Sequence, residues 1–243
     1  MASGSSRNNS QDQPRLIDIT AWRAVSSPDV ICYLVPRLGE AGPCVARLAE
    51  GPHATSKHVI PRLQKDDHWA THAIALRLSS ELADPLRGFT FGRGPKCDVP
   101  LTSKAARRDP NLALEHFRIF LDEETGVPVV QDSSVVGTLV DNVMLLASRK
   151  RKSCGEQQDN TSSSSSEERN SKNSKPLKNG SIIIVSLSDG SLSFSVRIPQ
   201  NRTEEHRELY ETNLRSYQRK LRLKAVLSSE KKTLEVRAKP NKQ

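Results

Sequence analysis

Between residues 72 and 198, apolar and polar positions trade places in short bursts separated by Gly, Pro, Asp and Ser. Residues 72–79 alternate Ala73, Ala75 and Arg77 with Ile74, Leu76 and Leu78, which predicts a half-buried strand. Further short strands are predicted at 88–92, 97–101, 115–121, 127–131, 137–140, 181–187 and 191–198. In the last of these, Leu192, Phe194, Val196 and Ile198 lie on one face. No long apolar helix interrupts the series, so the pattern predicts an all-β sandwich. Asp189 and Gly190 stand between the last two strands and predict a two-residue hairpin with both central positions at positive φ.

The flanks follow other patterns. Residues 29–47 hold the apolar runs Val30-Ile31-Cys32-Tyr33-Leu34-Val35 and Cys44-Val45-Ala46, broken by Pro36 and Gly42-Pro43. They predict either a strand pair on the margin of the domain or a flexible extension, with Trp22 and Trp69 as candidate anchors. Residues 148–176 carry Arg149-Lys150-Arg151-Lys152, a serine run at 162–166 and little apolar material. Such a stretch cannot offset its ordering entropy, which predicts a long disordered loop inserted between two strands. After residue 203 the period becomes helical, with Tyr210, Leu214, Tyr217 and Leu221 on one stripe. Asn201 is the expected cap and Glu204 completes a capping box. That helix either docks on the sandwich edge or pairs with a partner; Lys224 ends the stripe after barely two heptads, which favours docking. The expected organisation is a disordered tail at 1–28, an extension at 29–71, the sandwich at 72–199, the amphipathic helix at 200–232 and a basic tail at 233–243.

Composition narrows the partners. The 243 residues are 35% hydrophobic and 27% charged, which suits one modest core plus flexible sequence. A net charge of +9 favours acidic partners. Residues 1–14 contain no apolar run of the signal-peptide kind, and no segment reaches the roughly 18 apolar residues of a membrane span. Cys32, Cys44, Cys97 and Cys154 are widely separated and form no zinc spacing, which points to reduced thiols and a nuclear or cytoplasmic protein. Arg149–Lys152 reads as a nuclear-localisation patch or as a solvated charge run. With aromatic residues at 4%, stacking platforms are few, and nucleic acid is expected only as a non-specific, salt-sensitive partner. No nucleophile–base pair, metal-ligand spacing or phosphate loop is present, so no enzyme activity, cofactor or metal is predicted.

Four motifs in order carry a resemblance. Phe91-Gly92-Arg93-Gly94-Pro95-Lys96-Cys97-Asp98-Val99 begins it, and Glu115-His116-Phe117-Arg118-Ile119 follows. Then come Asp132-Ser133-Ser134-Val135-Val136-Gly137-Thr138-Leu139-Val140 and Leu177-Lys178-Asn179-Gly180-Ser181-Ile182-Ile183. Together they resemble the forkhead-associated (FHA) domain, across about half of the chain. The resemblance implies an antiparallel β-sandwich that binds phosphothreonine peptides through loops at one end. It implies Arg93 as the phosphate contact, with Gly137 and Thr138 on the binding loop. Gly92 and His116 are implied as its structural support. The basic residues Lys104, Arg107 and Arg108 lie in the neighbouring loop and are candidate supplementary phosphate contacts, or an ordinary solvated cluster.

The sequence departs from the family where contacts to the phosphopeptide are expected. The family's Ser three residues before the His is Ala113, whose methyl donates nothing. Its Asn before Gly-Thr is Val136, preceded by Val135. Three functions therefore remain: a phosphothreonine adaptor with a degenerate site, a phosphate-independent scaffold, and a basic protein associated with nucleic acid. The order of motifs is also similar to the front half of fungal checkpoint-type serine/threonine kinases, though none of the kinase motifs follows here.

Overall fold

The apolar residues that alternate along the strands meet in one core between two sheets. The computed structural model describes residues 27–51, 57–61, 72–147, 173–200 and 203–237. The larger sheet has seven strands in the order β2 (Val59–Pro61), β3 (His72–Arg77), β1 (Val30–Gly39), β12 (Gly190–Arg197), β11 (Ile182–Leu187), β8 (Thr138–Val140) and β9 (Val143–Leu145). The smaller has five, in the order β10 (Ser174–Pro176), β7 (Pro128–Asp132), β6 (Phe117–Leu121), β4 (Phe89–Gly92) and β5 (Val99–Pro100). Neighbouring strands run antiparallel except β4 and β5, which are parallel. Leu34, Ile74, Val196 and Ile183 of the first sheet share a core with Phe89, Phe91, Phe117 and Ile119 of the second. The rings of Phe91 and Phe117 stack with centroids 4.6 Å apart, locking β4 to β6 at the ends that lead into the site.

The N-terminal segment is built into the larger sheet. β1 lies between β3 and β12, with Leu34 opposite both Ile74 and Val196. The second apolar run, expected as a strand, is instead the helix α1 (Ala41–Ala49). Ala41, Cys44, Val45 and Leu48 recur at helical spacing and all four are buried, whereas the three-residue run Cys44-Val45-Ala46 alone hid that period. Strand β3 is also more buried than its alternation suggests. Its small residues Ala73 and Ala75 join Val30, Tyr33, Val35 and Ile60 in a second apolar cluster, so both faces of the strand are covered.

Turn chemistry shifts one expectation. The β11–β12 hairpin forms, but Leu187 pairs with Gly190, so Ser188 and Asp189 are the loop and Gly190 opens the strand. Only Gly190 there has positive φ, at 125°. The hairpin with two consecutive positive φ values is β8–β9, where Asp141 (47°) and Asn142 (65°) occupy the centre.

The expected loop at 148–176 lies outside the described residues as far as 172. Its end, β10, is a strand whose Ser174, Lys175 and Pro176 face Gln131, Val130 and Val129 of β7. Ladder hydrogen bonds rather than apolar burial order this polar stretch. The tail at 1–26, Trp22, Trp69, Cys154, the basic run at 149–152, the serine run and residues 238–243 also lie outside the described residues.

Helix α2 (Glu204–Arg237) docks through Tyr210, Leu214, Tyr217 and Leu221. Gln218 donates to the Glu123 carbonyl at 2.9 Å, and the Leu214 methyl sits against Gly126, so the helix covers the β6–β7 turn. Thr203 caps it, accepting the His206 N–H at 3.3 Å, while the expected cap Asn201 lies outside the described residues. Among the described residues, no helix is long and apolar enough to cross a membrane.

His58 is a buried imidazole packed edge-on to Phe89, with centroids 5.8 Å apart. Neither ring nitrogen has a hydrogen-bond partner among the described residues. Burial, aided by the nearby Lys57 charge, pushes its pKa down from 6.5 to about 4. The unfolded chain takes up this proton near pH 6.5 and the folded chain only near pH 4, so stability is full above the first value and declines toward the second. Urea-unfolding midpoints should therefore fall between about pH 7.5 and about pH 5. The His58→Leu variant should show a shallower fall, with a residual slope from His116, whose pKa burial also lowers.

Candidate functional site

The end of β4 is shaped by close backbone approach. A Cβ on Gly92 would sit 2.4 Å from the Leu114 carbonyl oxygen, so only glycine lets the two loops pass. The next residues bond across the gap: Arg93 N–H donates to the Ala113 carbonyl at 3.0 Å and Gly94 N–H to the Leu114 carbonyl at 2.9 Å. Asp98 braces the turn from behind, accepting from Ala83 N–H, Thr90 N–H and the Thr90 hydroxyl. The guanidinium of Arg93 is thereby held out in solvent. It has no hydrogen-bond or ion-pair partner among the described residues.

His116 ties this turn to the loop after β7. Its N–H donates to the Phe91 carbonyl at 2.7 Å. Its ring is fully buried, and Nδ1 lies 3.2 Å from the Ala113 N–H. Because that amide can only donate, Nδ1 is the acceptor and the proton resides on Nε2. Nε2 then donates to the Gly137 carbonyl at 3.2 Å. Burial holds the pKa of the ring below 6.5, against the opposing pull of the Gly137 carbonyl and Asp132, so the neutral tautomer persists at neutral pH.

Asp132 organises the Gly137 loop. Its buried carboxylate accepts from the Ser134 N–H and hydroxyl, from the Thr138 hydroxyl at 2.7 Å and from Ala147 N–H at 2.9 Å. The Ser134 hydroxyl accepts in turn from Gly137 N–H at 2.7 Å. Gly137 has φ +95°, and a Cβ there would meet Leu146 Cδ2 and Met144 Sδ within 2.8 Å. The loop is therefore a closed circuit: Asp132, Ser134, Gly137, Thr138.

Of the residues expected to touch a ligand, Arg93 is exposed on the first loop. Thr138 is fully buried with its hydroxyl on Asp132, so its side chain faces inward. Gly137 presents only a buried backbone whose N–H and carbonyl are both engaged. Arg107 and Arg108 are exposed on a 3-10 turn at Ala106–Arg108, and Lys104 precedes it. Asp109 fastens that loop to the β11–β12 hairpin by accepting Ser188 N–H at 2.6 Å. Lys104 lines a surface groove with Arg47 of α1 and Glu50, which follows that helix. The loop meets the Arg93 turn through one bond, Leu101 N–H to the Gly92 carbonyl at 2.7 Å. Ala113 and Val136 stand on the two loops that His116 joins. Asp132 and Ser134 had a sequence signal in their Asp-x-Ser spacing ahead of Gly137. Leu114, Met144 and Leu146 had none.

Asp132→Ala would strand the buried Thr138 and Ser134 hydroxyls inside the protein, and should lower unfolding free energy by about 3 kcal/mol. Arg93→Ala, at an exposed and unpartnered position, should change it by less than about 0.5 kcal/mol. Paired denaturant curves test both values.

The family-model comparison agrees with this construction. The FHA domain family model matches residues 89–153. Among solved structures, the NMR structure of the FHA1 domain of yeast Rad53 is similar at 16% identity and a TM-score of 0.37, over 86% of this chain and 92% of that one. No curated protein matches the chain. The matched residues begin at β4, run through the Arg93 turn, His116 and the Asp132 circuit, and pass β9: the chain carries an FHA domain.

Proposed function

We propose that this FHA domain is a peptide-binding module of the phosphothreonine-recognition type in signalling, with a weakened phosphate site. One observation supports this above others: Arg93 stands exposed and unpartnered on a turn that two backbone bonds and Asp98 hold rigid. A free guanidinium on a fixed loop offers a fork of donors to a phosphate without first breaking an ion pair. Gly92, His116, Gly137 and Thr138 act as the frame that positions the loops. Lys104, Arg107 and Arg108 supply additional positive potential from the adjoining loop.

The weakening follows from chemistry. Ala113 and Val136 remove two side-chain hydrogen-bond donors or acceptors expected for the family. The serine's bond to a phosphate is worth about 1.5–3 kcal/mol and the asparagine's bond to a neutral peptide backbone about 0.5–1.5 kcal/mol, so the pair represents roughly one to three powers of ten in affinity. Binding is the role that fits a turn presenting the exposed cations Arg93 and Lys96. Strands β1 and β2 and helices α1 and α2 serve this module as scaffold.

Titration with a degenerate phosphothreonine peptide library, followed by fluorescence anisotropy, tests the proposal. Wild-type protein should bind phosphorylated peptides in preference to their unphosphorylated counterparts. Arg93→Ala should abolish that preference while unfolding at the same urea concentration. Equal binding of both peptide forms by folded wild type would sink the phosphate role.

A further inference from the structure

Helix α2 carries a second stripe that the sandwich does not use. Tyr210, Leu214, Tyr217 and Leu221 face the core. Beyond Leu221 no described side chain of the helix is buried, although the helix continues to Arg237. A row of exposed residues lies on the other side, because two positions, about 200° of helical turn, separate Leu214 from Ser216 and Leu221 from Leu223. Leu209 is 46% exposed, Leu223 60%, Val226 54% and Leu227 65%, and Ser216 is exposed between them. Leu209, Ser216 and Leu223 recur every seven residues and Leu227 follows one turn later, the spacing at which one helix lies along another. Single exposed aliphatics are ordinary, but a row along one helix face marks an interaction surface.

Charge identifies the occupant. The start of α2 is acidic, with Glu204, Glu205, Glu208 and Glu211 around Arg207. The stretch that follows is basic, with Arg215, Arg219, Lys220, Arg222 and Lys224 and no carboxylate before Glu230. The helix dipole favours acids in the first turn, but it acts only over the terminal turns, and these cations stand mid-helix. Arg215 pairs with Glu211 at 3.2 Å; the other four cations have no ion-pair partner among the described residues. A second α2 laid antiparallel, with Ser216 against Ser216 at the two-fold axis, brings Leu209 of each copy to Leu223 of the other. It also sets the acidic part of each helix beside the basic part of its partner. Parallel pairing would set acid on acid and base on base. A uniformly anionic partner would suit the basic stretch and be repelled by Glu204–Glu211.

We propose that the exposed face of α2 is a self-association surface through which two copies of this chain pair by antiparallel helices. Docking on the sandwich and pairing with a second copy use different sides of the helix, so both occur together. The pair carries two FHA domains in one particle, which raises affinity for a ligand with two binding motifs without any new contact. The inference is independent of the phosphate site and holds whatever the domain binds.

Sedimentation velocity of the full-length protein and oxidative cross-linking in a Cys154→Ser background test the pairing. Cys32, Cys44 and Cys97 are buried, so an added cysteine reports its own surroundings. Wild-type protein should form a concentration-dependent dimer that weakens as salt screens the ion pairs. Ser216→Cys should cross-link to its own copy. Leu223→Cys should not, because the antiparallel register holds the two Leu223 positions about 21 Å apart along the axis. It should cross-link when mixed with Leu209→Cys. Glu208→Lys with Glu211→Lys, and Arg219→Glu with Arg222→Glu, should each weaken the dimer at least about tenfold, and an equimolar mixture of the two variants should restore association. All these positions are exposed, so circular dichroism should show folded protein throughout. A chain that stays monomeric at every concentration, with no cross-link at Ser216→Cys, would overturn the proposal. Self-cross-linking of Leu223→Cys as readily as Ser216→Cys would replace the antiparallel register by a parallel one and sink it. A dimer indifferent to both charge reversals would do the same. Monomer that binds phosphatidylserine vesicles, and loses them in Leu223→Ser with Leu227→Ser, would overturn it in favour of an anionic membrane surface.

Discussion

The buried imidazole of His116 is the interaction on which the apex depends. It accepts from Ala113 on one loop and donates to Gly137 on another, and its own backbone reaches Phe91 and Ser133. A neutral imidazole accepts at one edge and donates at the other, so one ring serves both loops in a dry site. Without it, three loops from different strands would share no common bond, and Arg93 would stand on a turn with no fixed relation to Val136. Asp132 completes the frame from the opposite side. Four protein donors surround its carboxylate, which compensates for its removal from water.

The sandwich beneath serves this frame. Phe91 and Phe117 stack directly under the points where Arg93 and His116 leave their strands, so core packing is transmitted to the loops with little slack. The N-terminal strand β1 is an interior strand of the larger sheet, between β3 and β12, and α2 covers the β6–β7 turn. Segments that flank the FHA-matched residues in sequence are thus integral to the layers that keep β4, β6 and β7 in place. The apex itself combines a polar frame with an apolar surface. The buried polar groups of the frame, His116, Asp132, Ser134 and Thr138, are bonded to one another or to backbone, while Arg93, Lys96, Ser133 and several aliphatic side chains face solvent.

Much of this was legible in the chain itself. The strand positions followed from alternation, because one face of each strand must meet a core. The order of Gly92-Arg93, His116, Asp132 and Gly137-Thr138 identified the domain type, and the losses at Ala113 and Val136 could be read directly as lost donors and acceptors. The stripe Tyr210, Leu214, Tyr217 and Leu221 foretold a docked helix. Other features depended on partners distant in sequence. α1 was hidden in a short apolar run, and β10 was hidden in a polar one that only β7 makes a strand. The centre of the β11–β12 hairpin moved by one residue because cross-strand pairing, rather than the local Asp189-Gly190 preference, sets register.

The sequence by itself determined the residue inventory of the apex: one arginine on a glycine-flanked turn, one histidine at a strand start, one Asp-x-Ser ahead of a glycine, and two missing polar contacts. Local chemistry suffices for that, since each motif dictates its own turn. Only the tertiary structure decided which of those residues face solvent. Thr138 turns inward with its hydroxyl on Asp132, while Leu114, Val135, Met144 and Leu146 are exposed. Exposure is a property of neighbours distant in sequence, and no local pattern encodes it.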